Sequence, residues 1–219
     1  MKKINTVKIK VCGLTDPSEA KAVAEAGANA IGLVFAKSPR QIYPDRAREI
    51  VRNLPPMVQT VGVFVNESSE KTRQIIDYCG LDLVQLHGEE TPETCKQLAP
   101  RAIKAWRIRT KADIQALLPY QEVVKAFLLD AWSPKVHGGT GETFDWSIAI
   151  EAKKVLSRPI ILAGGLRPEN VARAVKQVRP WGVDVSSGVE NAPGKKNIDL
   201  VVEFIRRATL DVNHHHMEE

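Results

Sequence analysis

Short runs of β-branched and aliphatic residues recur along the chain, each followed by a polar turn and then by apolar positions at helical spacing. Val61 to Val65, Ala126 to Leu129 and Pro159 to Leu162 are examples. Strands that are almost continuously apolar are covered on both faces, as in parallel sheets whose crossovers are helices. Such runs end at Cys12, Val34, Val65, Leu86, Trp106, Asp130, Ala163 and Val185. The alternation predicts an α/β fold, and eight strand–helix units are what a closed (β/α)8 TIM barrel requires.

Helix boundaries are marked in the same stretches. Asp16-Pro17 supplies an N-cap with proline at the first helical position, and Gly27 lies just beyond the apolar pattern of Ala20, Val23 and Ala24. Ser68 or Ser69, Thr91-Pro92, Thr110, Asp145 and Arg167-Pro168 supply later starts, and Ile198 to Ala208 reads as the last helix. No linker or low-complexity segment divides the 219 residues. The expectation is a single barrel domain over 1–219, with its core at about 7–208 and a flexible C-terminal tail at about 209–219. His214, His215 and His216 in that tail read as a frayed terminus rather than a metal site. A dinucleotide-binding sheet is disfavoured, because the first strand leads into Cys12-Gly13-Leu14-Thr15 with no Gly-x-Gly-x-x-Gly turn.

Composition narrows the class further. Hydrophobic residues make up 43% and charged residues 26% of the chain, enough to build a core and too apolar for disorder. Cys12, Cys79 and Cys95 are odd in number and widely spaced, so neither a disulfide framework nor a zinc site is indicated. With no stretch near the roughly 20 apolar residues of a membrane span, the expectation is a soluble, cytoplasmic protein with no membrane partner. A net charge of +5 and a pI near 9.1 favour anionic ligands. Nucleic acid is not expected, because the basic residues alternate with acidic ones and no aromatic-interleaved basic patch is present.

In such barrels the chemistry sits at the C-terminal ends of the strands. Cys12 ends the first strand, Arg40 lies in the long loop after the second, His87 follows the fourth, and Asp130 ends the sixth. Each has a bland reading: a small buried hydrophobe, a solvated cation, a structural histidine, a turn cap. Jointly, a thiol of ordinary pKa near ~8.5 and a carboxyl on different strands at one barrel end suit proton transfer. Gly164-Gly165 after the seventh strand and Ser186-Ser187-Gly188 after the eighth lie where these barrels frequently hold a phosphate. A helix or turn starting after Ser187-Gly188 would direct further backbone donors at the same anion. A planar guanidinium at Arg40 suits a carboxylate.

Lys10-Val11-Cys12-Gly13-Leu14, Ser38-Pro39-Arg40, Gly62-Val63-Phe64-Val65-Asn66, Gln85-Leu86-His87-Gly88, Leu129-Asp130 and Asp184-Val185-Ser186-Ser187-Gly188-Val189-Glu190 occur in this order. Gly138-Gly139-Thr140-Gly141, Phe144-Asp145-Trp146 and Pro193-Gly194-Lys195-Lys196 accompany them. From about Val7 to Ala208 the chain resembles the phosphoribosylanthranilate isomerases. The resemblance implies a tryptophan-pathway enzyme that acts on phosphoribosylanthranilate, needs no cofactor or metal, and is a monomer or homodimer. It implies Cys12 as general base, Asp130 as general acid, Arg40 as the contact to the anthranilate carboxylate, and Gly164, Gly165, Ser186, Ser187 and Gly188 as the phosphate loops. His87 would line the same site.

The implied reaction is an Amadori rearrangement. Asp130 protonates the furanose ring oxygen, the ring opens to a Schiff base, and Cys12 takes the proton from carbon 2. Protonation of the Schiff-base nitrogen supplies the electron sink. The product is 1-(2-carboxyphenylamino)-1-deoxyribulose 5-phosphate. A nearby cation or the phosphate-side dipoles should offset the cost of holding Cys12 as a thiolate, but the sequence does not identify which. Two rivals stand beside this reading. The related histidine-pathway isomerases, and dual-substrate forms acting on both pathways' aminoaldoses, carry a carboxylate in place of Cys12 and take a substrate with two phosphates. A non-catalytic phosphate-binding barrel would bind without turnover, a role that Cys12 together with Asp130 argues against.

Overall fold

Eight parallel strands pair in chain order: β1 (Lys8–Cys12), β2 (Ala30–Val34), β3 (Gln59–Phe64), β4 (Leu83–Leu86), β5 (Ala102–Arg107), β6 (Ala126–Asp130), β7 (Ile160–Ala163) and β8 (Gly182–Val185). The last returns to the first, with Lys8 opposite Gly182 and Lys10 opposite Asp184, and so closes the barrel. This computed structural model describes residues 7–130 and 146–210. The helices are α1 (Pro17–Glu25), α2 (Pro44–Asn53), α3 (Ser69–Cys79), α4 (Pro92–Gln97), α5 (Lys111–Leu117), α6 (Ser147–Val155), α7 (Pro168–Val178) and α8 (Ile198–Leu210).

Two cores result from the period-two alternation of each strand. Val61, Leu83, Ile103, Ala105, Ala126, Leu128, Ile161 and Ala163 fill the barrel interior. Their outward neighbours, among them Val11, Leu33, Phe64, Val84, Phe127, Leu129 and Val183, pack with the helices. Both faces are therefore dry, which explains the near-continuous apolar runs of the sequence.

Capping sets most helix starts. Asp16 Oδ1 accepts from the backbone N–H of Ser18 and Glu19 at 3.0 and 3.2 Å, Ser68 Oγ from Lys71 N–H, and Thr91 Oγ1 from Thr94 N–H. Each satisfies an orphan donor of the first turn. At the other ends Gly27 and Gly80 take φ of 108° and 76°, a left-handed region that favours glycine. Helix α2 has no capping side chain, since Tyr43 precedes it and only Pro44 marks its start.

The expected strand ends hold with two shifts of one residue. β3 stops at Phe64 rather than Val65, because the chain turns into the left-handed Asn66 (φ 52°), whose N–H binds Glu90. β5 continues to Arg107, paired with Asp130. Helix α8 runs to Leu210, two residues into the expected tail. The rest of that tail, with His214 to His216, and the motifs at 138–141 and 144–145 lie outside the described residues. A short antiparallel hairpin, β9 (Glu190–Ala192) and β10 (Lys195–Lys196), was not legible, since strands of three and two residues carry no alternation to read.

At the N-terminal mouth of the barrel a cavity of about 350 Å³ opens among Val61, Leu83, Ile103, Ala126 and Ile161, with Lys10 and Trp181 also on its walls. It faces away from the strand ends that carry the candidate chemistry. Among the described residues no helix is long and apolar enough to cross a membrane.

Candidate active site

The pleat of β1 turns Lys10 and Cys12 into the barrel, and Cys12 pairs in register with Gly32 of β2. A Cβ at Gly32 would stand 2.7 Å from Cys12 Sγ, so the bare backbone of glycine is what leaves room for the thiol. Cys12 is only 8% exposed. Burial pushes its thiol above the ordinary range, against the pull of Lys10, which reaches it by charge and hydrogen bond, and of Lys196. Lys10 Nζ donates to Asp184 Oδ1 at 2.9 Å across the β1–β8 seam, both side chains being buried. Burial disfavours the Lys10 ammonium, but Asp184 and Cys12 outweigh it, so its pKa is raised and Lys10 stays charged.

Arg40 comes to the same mouth from the loop between β2 and α2. Its Nε and Nη2 bind Glu190 Oε1 and Oε2 at 2.8 and 2.5 Å, a fork-on-fork pair. Glu190 Oε1 also accepts from Lys196 Nζ at 2.6 Å and from Gly194 N–H at 3.2 Å. Lys196 Nζ reaches Ser186 O at 3.3 Å. Gly13, at φ 82°, lies beneath Arg40 and Ser186: a Cβ there would be 2.4 Å from Arg40 Cδ and 3.2 Å from Ser186 Oγ. The residue after Cys12, the guanidinium loop and the end of β8 are thus in contact. One edge of Arg40 is committed to Glu190, while Nη1 takes no partner among the described residues.

His87 leaves β4 toward Asp130, whose charge acts on it. Gln85 Nε2 lies 3.0 Å from His87 Nδ1. The Gln85 amide thus engages one ring nitrogen and leaves the other to the site. Burial lowers the pKa of His87, with Asp130 acting in the opposite sense, and the ring is neutral at pH 7. The loop itself is stapled from behind. The fully buried Lys104 Nζ donates to Gly88 O at 2.6 Å, Glu90 Oε2 at 2.8 Å and Leu86 O at 3.4 Å, the two carbonyls flanking His87 among them. Glu90 accepts in turn from the N–H groups of Asn66 and Gly88. Asp130 ends β6, half-buried, and its carbonyl accepts from Ile108 N–H.

The glycine loops after β7 and β8 touch. Gly164 and Gly165 have φ of 93° and 62°, and Asn170 clamps the turn by donating to Gly165 O and accepting from Arg167 N–H. A 3₁₀ turn spans Ser187–Val189, beginning at Ser187 rather than after Gly188. A Cβ on Gly188 would sit 2.0 Å from Leu166 O, so only glycine lets the two loops close on each other.

All nine sequence-derived site residues, Cys12, Arg40, His87, Asp130, Gly164, Gly165, Ser186, Ser187 and Gly188, therefore lie at the C-terminal mouth. The sequence reading missed Lys10, Gly32, Asp184, Glu190, Lys104 and Lys196 as contributors. A signal existed for Lys10 and Lys104, since a lysine inside an otherwise apolar buried strand needs a partner. Among the described residues no three His, Cys, Asp or Glu side chains gather where a metal ion could be held.

Comparison with known proteins agrees with this geometry. The family described as N-(5'phosphoribosyl)anthranilate (PRA) isomerase matches residues 9–207. N-(5'-phosphoribosyl)anthranilate isomerases of Trichlorobacter lovleyi and Pelobacter propionicus are 52% and 51% identical over 203 residues, 92% of this chain and 98% and 95% of theirs. The crystal structure of phosphoribosyl anthranilate isomerase from Thermotoga maritima superposes with a TM-score of 0.85 at 46% identity, covering 92% of this chain and 98% of that one. A second solved isomerase, in complex with reduced 1-(o-carboxyphenylamino)-1-deoxyribulose 5-phosphate, gives 0.82 at 44% identity over the same shares. On fold, motif order and the match across almost the whole barrel, the chain belongs to the N-(5'-phosphoribosyl)anthranilate isomerase family.

Proposed function

We propose that this chain carries out its family's isomerisation of N-(5'-phosphoribosyl)anthranilate, a step of tryptophan biosynthesis, with Cys12 as general base and Asp130 as general acid. The observation that carries the assignment is the placing of Cys12 beside the buried Lys10 ammonium, at the mouth that also holds Asp130. A thiol is a useful base at neutral pH only where a cation offsets the cost of burying its charge. Lys10 and Lys196 are the cations that the sequence left unidentified.

In this reading the phosphate rests on the Gly164-Gly165 and Ser186-Ser187-Gly188 loops, and Arg40 offers its uncommitted Nη1 edge to the anthranilate carboxylate. Asp130 gives its proton to the ring oxygen as the furanose opens. Cys12 then removes the proton at carbon 2, and the enolamine tautomerises to the ketone. His87, neutral, lines the site beside Asp130. The bound product analogue of the 44% identical relative is the ligand this arrangement would take. The test is turnover of phosphoribosylanthranilate by the pure protein, followed by loss of the substrate's anthranilate fluorescence; binding without turnover would refute it.

We place the enzyme in the cytoplasm and assign it a homodimeric state. Monomers generated from a dimeric isomerase of Thermotoga maritima are 43% identical to this chain, with a TM-score of 0.82. Here Met57, 98% exposed with φ 72°, and the half-exposed Trp181 border the open cavity at the N-terminal mouth. Exposed apolar side chains beside an apolar hollow mark a contact surface. Sedimentation of the wild type and of Met57→Asp checks the assignment, which expects a dimer and a monomer respectively.

A further inference from the structure

Six ionisable groups form one buried train across the mouth of the barrel: Arg40, Glu190, Lys196, Cys12, Lys10 and Asp184. Arg40 and Lys196 share the Glu190 carboxylate, and Lys10 is paired with Asp184. Cys12 lies between the two ends. It faces Lys10 on its own strand, Asp184 on β8, Lys196 on β10 and Arg40 from the loop after β2. Three of the six are cations and two are carboxylates. With Cys12 as a thiol the three cations face the two carboxylates of the cluster, with Glu19 near Lys196 as a further one; with Cys12 as a thiolate they gain a third anion within it. The cations therefore pull toward the thiolate, against the burial that raises the Cys12 pKa.

The side chain of Lys196 has no exposed surface, and beyond Glu190 its ammonium holds only the Ser186 carbonyl. Burial outweighs Glu190 and lowers the pKa of Lys196, so this cation gains from each further anion near it, Glu19 and Cys12 among them. Cys12 supplies one, and the attraction is reciprocal, Lys196 drawing the thiol down as the thiolate holds Lys196 charged.

We propose that Lys196, carried in by the β9–β10 hairpin and tethered by Glu190, is a positioning residue that eases formation of the Cys12 thiolate. The proposal rests on the reading of Cys12 as the base but is measured separately from it. The hairpin is then part of the proton-transfer machinery, although neither of its strands belongs to the barrel.

Two measurements test it. The first is the ultraviolet absorbance of the thiolate against pH, taken as the difference between the wild type and Cys12→Ser, and repeated for Lys196→Met with and without Cys12→Ser. Below the titration midpoint Lys196→Met should hold about tenfold less Cys12 thiolate, the equivalent of one pKa unit. The limb of the kcat–pH profile that reports the base should move to higher pH by the same amount, while affinity for a reduced, unreactive product analogue persists. An unchanged thiolate curve, or one moved to lower pH, overturns the proposal. The second needs no substitution at Lys196 and so survives misfolding of that variant. In carbon-labelled wild-type protein the Cε resonance of Lys196 should carry the Cys12 midpoint, and that inflection should vanish in Cys12→Ser. A Lys196 signal that ignores Cys12 overturns the proposal as well. Full turnover by Cys12→Ser would instead remove Cys12 as the base and leave both titrations, and hence the network, as measured.

Discussion

Replacing Gly32 with alanine tests how finely the thiol is placed. The added methyl would stand 2.7 Å from Cys12 Sγ, 3.0 Å from its Cα and 3.1 Å from its Cβ. Ordinary contact needs about 3.5–4.0 Å, so the sulfur must retreat by about 1 Å, and the backbone contact makes β1 give way as well. A displacement of that size at a reacting group costs on the order of 10²-fold in rate. That corresponds to about 2.7 kcal/mol of activation free energy. Overpacking by itself costs about 1–3 kcal/mol of stability, so a loss of rate must be separated from a loss of fold.

Gly62 provides the control. A Cβ there would stand equally close, 2.7 Å from Leu81 Cδ1 and from Phe64 Cε2, but against side chains of the outer core. Gly62→Ala should therefore lower the denaturant midpoint and leave kcat nearly unchanged. Gly32→Ala should lower kcat about 10²-fold in protein that is still folded. The assay is the fluorescence decay of phosphoribosylanthranilate at saturating substrate, beside urea unfolding of both variants. Wild-type kcat in folded Gly32→Ala would refute the claim that the thiol's position is set by the bare backbone of β2.

Four further outcomes are expected. Cys12→Ser and Asp130→Asn should each lower kcat by about 10²-fold or more, with product-analogue affinity retained, and the double variant should be little worse than the poorer single one, measured as kcat beside analogue Kd. Arg40→Ala should weaken binding of the substrate but leave an analogue without the anthranilate carboxylate almost unaffected, which competitive inhibition constants will show. Gly188→Ala, whose methyl would meet Leu166 O at 2.0 Å, should part the two glycine loops and weaken substrate and inorganic phosphate together in titration calorimetry. Lys104→Met should cost about 3–5 kcal/mol in urea unfolding by leaving Glu90 buried without its cation, and adding Glu90→Gln should restore part of that loss. Burial raises the pKa of Glu90, but Lys104 and the backbone donors outweigh it and hold it below the ordinary carboxylate range. Stability from Glu90 is therefore present above its unfolded-state value and is lost as pH falls through the lower folded value.

The strand ends were legible because a doubly covered parallel strand is apolar along its length and stops where polarity begins. Cys12, Asp130 and the glycine loops became candidates by that rule, since barrel chemistry sits where apolar runs end, and the resemblance supplied their roles. Their partners were not, for physical reasons that differ residue by residue. Lys196 and Glu190 act from a hairpin too short to show a pattern, and the contact of Glu190 with Arg40 depends on how the chain folds back over 150 positions. Gly32 looks like any glycine in a strand until the thiol opposite it is placed. Helix α2 carries a weaker start signal, Pro44 alone, because its first turn is capped by no side chain. Arg40 was read as open to a ligand, whereas half of its donor fork is already committed to Glu190.

The pairing of β1 with β8 also governs when the surroundings of the base come into being. Lys10 meets Asp184 across 174 positions, and Arg40 meets Glu190 across 150. A chain emerging from the ribosome has made Cys12 and Lys10 long before the residues that fix them. Until β8 docks beside β1 and the following hairpin closes, Cys12 is an ordinary solvated thiol, without Asp184 and Lys196 around it. Closure buries the thiol as it brings these charged neighbours up, so protection of Cys12 from added thiol reagents becomes a report that synthesis and closure are complete.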